Sequence, residues 1–219
     1  MRRPFVGVVR VITSDESSFV GTHGRWIEKQ YGLPTVSRCI PDQPHGVHDD
    51  ETYAQAVPKI VAVAKELAAE GAACVLISCA ADPGLAEPRA VVGIPVVGAA
   101  SAGAAVALGL GGKVGVIGLN DEAPKAIRDV LASRLVASVR PEGVRRTTDL
   151  LRSGASDRAM AGVRSLVDAG AEVVLFACTG FTTIGLGARG RAELDVPVVD
   201  AVLAAGLVAS YVVQEGNTE

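Results

Sequence analysis

Aromatic residues make up only 4% of this 219-residue chain, which holds a single Trp. Basic residues are not in excess: 21 Lys and Arg stand against 24 Asp and Glu, a formal net charge of −3. That balance leaves no electrostatic footprint for nucleic acid or an anionic membrane, and neither is expected as a partner. Cysteine is scarce, at 4 residues. The N-terminal apolar run is interrupted by Arg10 before the h-region of a signal peptide can form. Free thiols in a cytoplasmic, reducing setting are therefore expected, not a disulfide scaffold. Long uncharged runs are also rare. The one from Ala90 to Gly112 is mostly Ala, Gly and Val, with Pro95 near its start. Such residues gain too little from lipid to read as a membrane span, and a strand entering a buried helix explains them better.

What the chain does have is apolar content, 49% of its residues. That excludes disorder and suffices, at this length, for a substantial core. β-branched runs recur at Phe5–Ile12, Thr35–Ile40, Cys74–Cys79, Ile94–Gly98, Val114–Gly118, Leu135–Val139, Val173–Cys178 and Val196–Val199. Several are continuous, as strands covered on both faces require. Helical patterns lie between them. In Ala56–Glu70, the residues Ile60, Val63, Ala64 and Leu67 form one apolar stripe. In Asp121–Leu131 two acids head the segment and Ile127, Val130 and Leu131 supply a buried face. Alternation of this kind predicts an α/β fold with parallel sheets.

The two halves of the chain match. Gly71–Cys79 reads GAACVLISC and Gly170–Cys178 reads GAEVVLFAC. Each is followed by a second matching strand, IPVV at Ile94–Val97 and VPVV at Val196–Val199, and then by a helix of small residues. This duplication predicts two pseudo-symmetric three-layer α/β halves. Each half holds a mostly parallel four-stranded sheet, and the active site is expected in the cleft between them. With the Ser101–Leu110 and Ala201–Val213 helices as crossovers, one lobe comprises residues 1–98 plus 201–219 and the other residues 99–200.

Ligands of open parallel sheets bind beyond the carboxyl ends of the strands. Cys79 and Cys178 end equivalent strands, so facing halves bring both thiols to one cleft from opposite sides. That arrangement suits inversion of a carbon acid: one thiolate removes a proton and the opposing thiol returns one to the other face. Backbone N–H groups at the following helix N-termini would stabilise the carbanion's carbonyl. The same field is expected to lower a thiol from ~8.5 toward neutrality. Cys39 and Cys74 read as small buried hydrophobes.

These residues resemble a known family. Cys79–Leu85, CAADPGL, is similar to the C-x-x-D-P-G-L segment of hydantoin racemases, in the aspartate/glutamate racemase superfamily, and Cys178-Thr179-Gly180 resembles their second cysteine motif. The resemblance covers essentially the whole chain. It implies a racemase or epimerase without cofactor or metal, acting on a small molecule, with Cys79 and Cys178 as the acid/base pair. It also implies that Arg10, Thr13 and Ser14 contact substrate, while Thr179 and the backbone at Ala80 and Gly180 hold its carboxylate or ring carbonyl. A homo-oligomer is the family-like expectation. Two departures stand out. Residues 10–15 read RVITSD where hydantoin racemases resemble N-P-N-T, and Ser101 stands where they tend to carry Glu, so Ser101 is counted with the substrate-binding residues. A 5-substituted hydantoin, an amino acid and another carbon acid all remain open as substrates. The alternatives are a superfamily isomerase or decarboxylase using a Cys as nucleophile or acid, and a non-catalytic module that binds a small acid.

Other motifs carry less. GLGARG at Gly185–Gly190 satisfies G-x-G-x-x-G, but the next strand follows too soon for a full helix, so a glycine-rich connector is expected. Cys39, His45 and His48 lack a zinc-ligand spacing. The stretch PDQPHGVHDDE reads as an exposed loop bordering the cleft. His23 fits either a cleft wall or a solvated helix face. Asp82 is expected to cap the helix or turn that follows it, and Asp200 to cap the last helix or reach the cleft.

Overall fold

The computed structural model describes residues 4–215, and over them the β-branched runs form strands. In the first half these are β1 (Phe5–Arg10), β2 (Thr35–Cys39), β3 (Ala72–Ser78) and β4 (Val96–Gly98). The second half contains β5 (Val114–Ile117), β6 (Leu135–Val139), β7 (Val173–Phe176) and β8 (Val198–Asp200). The sheet orders are β2-β1-β3-β4 and β6-β5-β7-β8, the same topology twice, and every pairing is parallel. The predicted α/β class and its two related halves are therefore present.

The strand ends differ from expectation in ways that matter for the site. β3 stops one residue before Cys79 and β7 two residues before Cys178. Both cysteines thus sit in the turns beyond the sheets rather than in the ladders. β4 and β8 start late because Pro95 and Pro197 accept a hydrogen bond through their carbonyls, from Val75 N–H at 3.0 Å and Val174 N–H at 2.9 Å, but have no N–H to donate.

The helices are α1 (Ser17–Val20), α2 (Thr22–Tyr31), α3 (Asp50–Ala69), α4 (Ala86–Val91), α5 (Ala99–Leu110), α6 (Lys125–Leu131), α7 (Ala155–Asp168), α8 (Gly180–Thr183), α9 (Leu186–Glu193) and α10 (Ala201–Glu215). Two depart from the sequence reading. α6 begins at Lys125 rather than Asp121, because Pro124 holds φ −51 and ψ 144 just ahead of it. Asp121 and Glu122 pair with Arg140 and Arg128 instead. GLGARG lies mostly within α9, since the late start of β8 leaves room for two helical turns.

Packing unites the halves. α5 follows the first sheet yet packs against β7 and α6, and α10 follows the second yet packs against β3, α2 and α5. One core cluster accordingly joins Val6, Val8, Cys74 and Leu76 of the first sheet with Val114, Val116, Val173 and Leu175 of the second, through the alanines of α5 and α10. The outer faces are covered separately, by α3 on the first sheet and α7 on the second. Small residues let α5 and α10 pass closely between the sheets, which explains the scarcity of aromatic side chains. Among the described residues, no helix is long and apolar enough to cross a membrane.

Candidate active site

A cavity of about 500 Å³ opens beyond the carboxyl ends of both sheets. Cys79 and Cys178 both line it, one from each half. Around them lie Arg10, Ser78, Ala80, Ala81 and Asp82 of the first half and Thr147, Ala177, Thr179, Gly180 and Thr183 of the second. The mouth is formed by Val47 to Asp50 and Tyr53 on one side and by Leu119, Asn120, Glu122, Pro124 and Lys125 on the other.

Each sulfur rests on the amides of the turn that follows it. Gly180 N–H donates to Cys178 Sγ at 3.4 Å, and the Thr147 hydroxyl and Phe181 N–H add to it. Ala81 N–H serves Cys79 in the same way. These donors favour thiolates, but burial outweighs them. It pushes Cys79 up to about 12 and Cys178 up to about 11, so both are neutral thiols at pH 7. The expected lowering toward neutrality is therefore not found, because the turn amides act on groups already withdrawn from water. The two thiols also feel each other: a charge on Cys178 raises Cys79 further. A charge on one therefore makes ionising the other harder. Gly180 is required by space, since a Cβ there would meet Leu150 Cδ1 at 2.7 Å, Thr147 Cγ2 at 3.0 Å and the Cys178 sulfur at 3.3 Å.

Arg10 reaches the cavity wall from the end of β1, with its guanidinium tied down. Nη1 donates to the Phe19 and Val20 carbonyls at 2.6 and 3.0 Å, and the cation lies 4.8 Å from the Phe19 ring centroid. Burial lowers its pKa to about 10, which still leaves it charged at neutral pH. Thr179 Oγ1 donates to the Ser78 carbonyl at 3.2 Å, a direct link between the two cysteine turns.

Three residues expected at the substrate lie outside the cavity lining. The Thr13 hydroxyl donates to the Ile40 carbonyl and accepts from Gln43 N–H, each at 2.7 Å, which fixes the loop after β2. Ser14 Oγ accepts from Glu16 N–H at 3.2 Å. Ser101 turns its hydroxyl to Asp82 at 2.7 Å. In each case local backbone or carboxylate partners take up the side chain.

Asp82 does not cap the helix that follows it. Its backbone stands at φ +48, in the left-handed region. Its carboxylate crosses to the N-terminus of α5, accepting from Ala100 N–H at 2.8 Å and Ser101 N–H at 2.9 Å. Burial raises its pKa, opposed by those hydrogen bonds. Asp200 caps α10, accepting from Thr182 Oγ1 at 2.8 Å, Val202 N–H at 2.9 Å and Leu203 N–H at 3.2 Å. The loop before α3 borders the mouth as expected, and Asp49 closes it with a capping box to Thr52.

Sequence reasoning gave no role to Ser78, Thr147 or Thr183, and left His23 undecided. His23 neither lines the cavity nor meets solvent: it is 1% exposed, with Nδ1 2.7 Å from Ser78 Oγ and Nε2 2.9 Å from Thr183 Oγ1. Burial and the neighbouring Arg10 cation hold its pKa well below the usual histidine value.

Residues 27–207 match the family model described as Asp/Glu/Hydantoin racemase. A hydantoin racemase of Pseudomonas sp. (strain NS671) is 28% identical over 167 residues, which span 74% of this chain and 66% of that protein, just under two thirds of its length. Among solved structures, allantoin racemase from Klebsiella pneumoniae superposes with a TM-score of 0.83 at 21% identity, over 97% of this chain and 89% of that one. Allantoin racemase from Pseudomonas fluorescens gives 0.81 at 21% identity, over 96% and 91%.

Proposed function

The chain belongs to the Asp/Glu/hydantoin racemase family, and from that premise we propose that it racemises a small carbon acid by proton transfer between Cys79 and Cys178. The observation that carries this reading is the presence of both thiols on one cavity, each contributed by its own half of the duplication. In the reactive state one sulfur is a thiolate and the other a thiol. The thiolate takes the hydrogen from the acidic carbon, and the opposing thiol gives its proton to the far face. The carbon is inverted, the two sulfurs have exchanged roles, and the net charge is unchanged. The repulsion that a charge on Cys178 exerts on Cys79 supports this partition.

The substrate in this proposal is a neutral cyclic amide of the 5-substituted hydantoin type. The lining cations Arg10 and Lys125 are already engaged, with the Phe19 and Val20 carbonyls and with Asp129. The lining also carries Asp49, Asp50, Asp82, Glu122 and Asp129. An amino acid with a second carboxylate, net negative at pH 7, would meet repulsion there, whereas an uncharged ring presents donors and acceptors to the turn amides at little desolvation cost. The similarity to a hydantoin racemase supports the same choice.

The test is exchange at the acidic carbon in D₂O, followed by NMR and by optical rotation. Wild type should deuterate and racemise a 5-substituted hydantoin faster than glutamate. Cys79→Ser and Cys178→Ser should each abolish racemisation, while exchange of one enantiomer survives. Racemisation persisting in either variant would refute the thiol pair.

A further inference from the structure

The buried imidazole of His23 sits behind the cavity, between two hydroxyls that line it. Ser78 precedes Cys79 at the end of β3, and Thr183 closes the turn of α8 that begins after Cys178. The ring therefore joins the two cysteine-bearing segments, 2.7 Å from one hydroxyl and 2.9 Å from the other. A neutral imidazole has one N–H and one lone pair, so its two partners must play opposite parts. One hydroxyl donates to the ring. The other accepts from it and keeps its own proton for the cavity.

The surroundings favour one assignment. The Thr179 carbonyl accepts a hydrogen bond from the ring. That carbonyl belongs to the Thr183 side, because it also accepts from Thr183 N–H at 3.4 Å. A carbonyl cannot donate, and its place beside Thr183 favours a ring proton on Nε2, the nitrogen that faces the Thr183 hydroxyl. Nδ1 is then the acceptor and takes the Ser78 proton. With Nε2–H donating to it, the Thr183 hydroxyl keeps its own hydrogen for the cavity it lines.

We propose that His23 is a positioning residue whose Nε2–H turns the Thr183 hydroxyl into a hydrogen-bond donor toward the substrate carbonyl. Negative charge develops on that oxygen when the adjacent carbon loses its proton, and a fixed donor there stabilises the transition state more than the ground state. No proton is transferred through the ring. Its contribution is polarity, and it requires the imidazole to stay neutral, which its burial beside Arg10 enforces. Thr183 is the group that touches substrate, and His23 acts through it.

This inference rests on the racemase reading, and the experiment separates the two. In ¹⁵N-labelled wild type, long-range imidazole correlations assigned with His23→Gln should show a neutral ring protonated on Nε2. An Nδ1-protonated or cationic ring at pH 7 overturns the proposal, whatever the enzyme's activity. In the D₂O exchange assay on a 5-substituted hydantoin, Thr183→Val should lower kcat by roughly 10²-fold, as loss of one such donor does, with KM little changed. Thr183→Ser should restore it to within about threefold, since the hydroxyl is kept. His23→Phe should cost about tenfold in kcat, and the double variant His23→Phe/Thr183→Val should be no slower than Thr183→Val alone, because the ring has nothing left to orient. Multiplicative losses, or a Thr183→Val variant with wild-type kcat, would overturn it. Should His23→Phe fail to fold, the wild-type spectrum and the Thr183 pair still decide. Absence of cysteine-dependent exchange in wild type would sink the racemase reading instead, leaving the spectrum to judge the ring.

Discussion

Gly98→Ala is the substitution whose cost the geometry defines most closely. Gly98 holds φ −94 and ψ 137, which alanine adopts without strain. The obstacle is purely steric: a Cβ at this position would lie within 2.6 Å of Cγ and both oxygens of Asp82. The methyl can enter only if the carboxylate leaves the N-terminus of α5. Leaving forfeits hydrogen bonds from Ala100 N–H, Ser101 N–H and the Ser101 hydroxyl, at 2.8, 2.9 and 2.7 Å. Bonds to a charged group are worth about 1.5–3 kcal/mol each, but the buried carboxylate gives back part of that in desolvation. A net loss of about 3–4 kcal/mol is expected for Gly98→Ala, and about 2 kcal/mol for Asp82→Gly, which removes the cap but suits the positive φ. In the double variant the new methyl occupies the vacated space, so the total should stay near 2 kcal/mol instead of reaching about 5–6. Urea unfolding of the four proteins measures this coupling. Additive losses, or a Gly98→Ala variant as stable as wild type, would refute the account of Asp82.

Three further outcomes follow from the site. With Cys178 near 11 and Cys79 near 12, the thiol is the dominant form below these values and the thiolate fraction grows as pH rises. Iodoacetamide labelling at both positions, read by mass spectrometry, should therefore accelerate roughly tenfold per unit from pH 7 to about pH 10; a plateau near pH 8 would contradict the raised values. Gly180→Ala should push Thr147 and Leu150 away from Cys178, lowering kcat by about tenfold or more through misplacement while Tm falls only a few degrees. Asp49→Ala removes the capping box of α3 beside the cavity mouth, and should cost about 1 kcal/mol in urea unfolding; a rise in KM larger than the fall in kcat would show that the mouth is what loosens.

The fold was legible because burial on both faces leaves continuous Val, Ile and Leu runs, and because duplicated segments repeat those runs in register. GAACVLISC and GAEVVLFAC become β3 and β7, in the same place in two sheets of identical order. The same register brought Cys79 and Cys178 into view as a pair. What sequence could not show was what lies across the fold from each residue. Asp82 bonds the start of α5, not its own neighbours, and the signal lay at a distance, in Gly98 making room for it. His23 is placed by a helix between β1 and β2 yet joins β3 to α8, contacts separated by 55 and 160 residues. The thiol pKa values escaped for a related reason. Turn amides can be read from the strand-turn-helix pattern, but the desolvation that opposes them depends on the whole wall of the cavity.

The two halves solve one capping problem with carboxylates drawn from different strand ends. In the second half, Asp200 ends β8 and accepts from the amides two and three residues ahead, Val202 and Leu203. In the first half, Gly98 holds the equivalent place, and Asp82 reaches in from the turn after β3 to take Ala100 and Ser101, again two and three residues ahead. The charge at the helix start is retained while the residue supplying it differs, so the helix N-terminus sets the requirement. If so, the carboxylate should be movable. Asp82→Gly/Gly98→Asp places it as Asp200 is placed, and the extended backbone at residue 98 already suits an N-cap. This exchange should restore stability to within about 1 kcal/mol of wild type, against the loss of about 2 kcal/mol in Asp82→Gly alone. Racemisation should then report whether Asp82 serves the chemistry as well as the fold: a variant restored in stability but still slow would assign the carboxylate a second duty beside Cys79, whereas failure to recover stability would show that the two caps are not interchangeable.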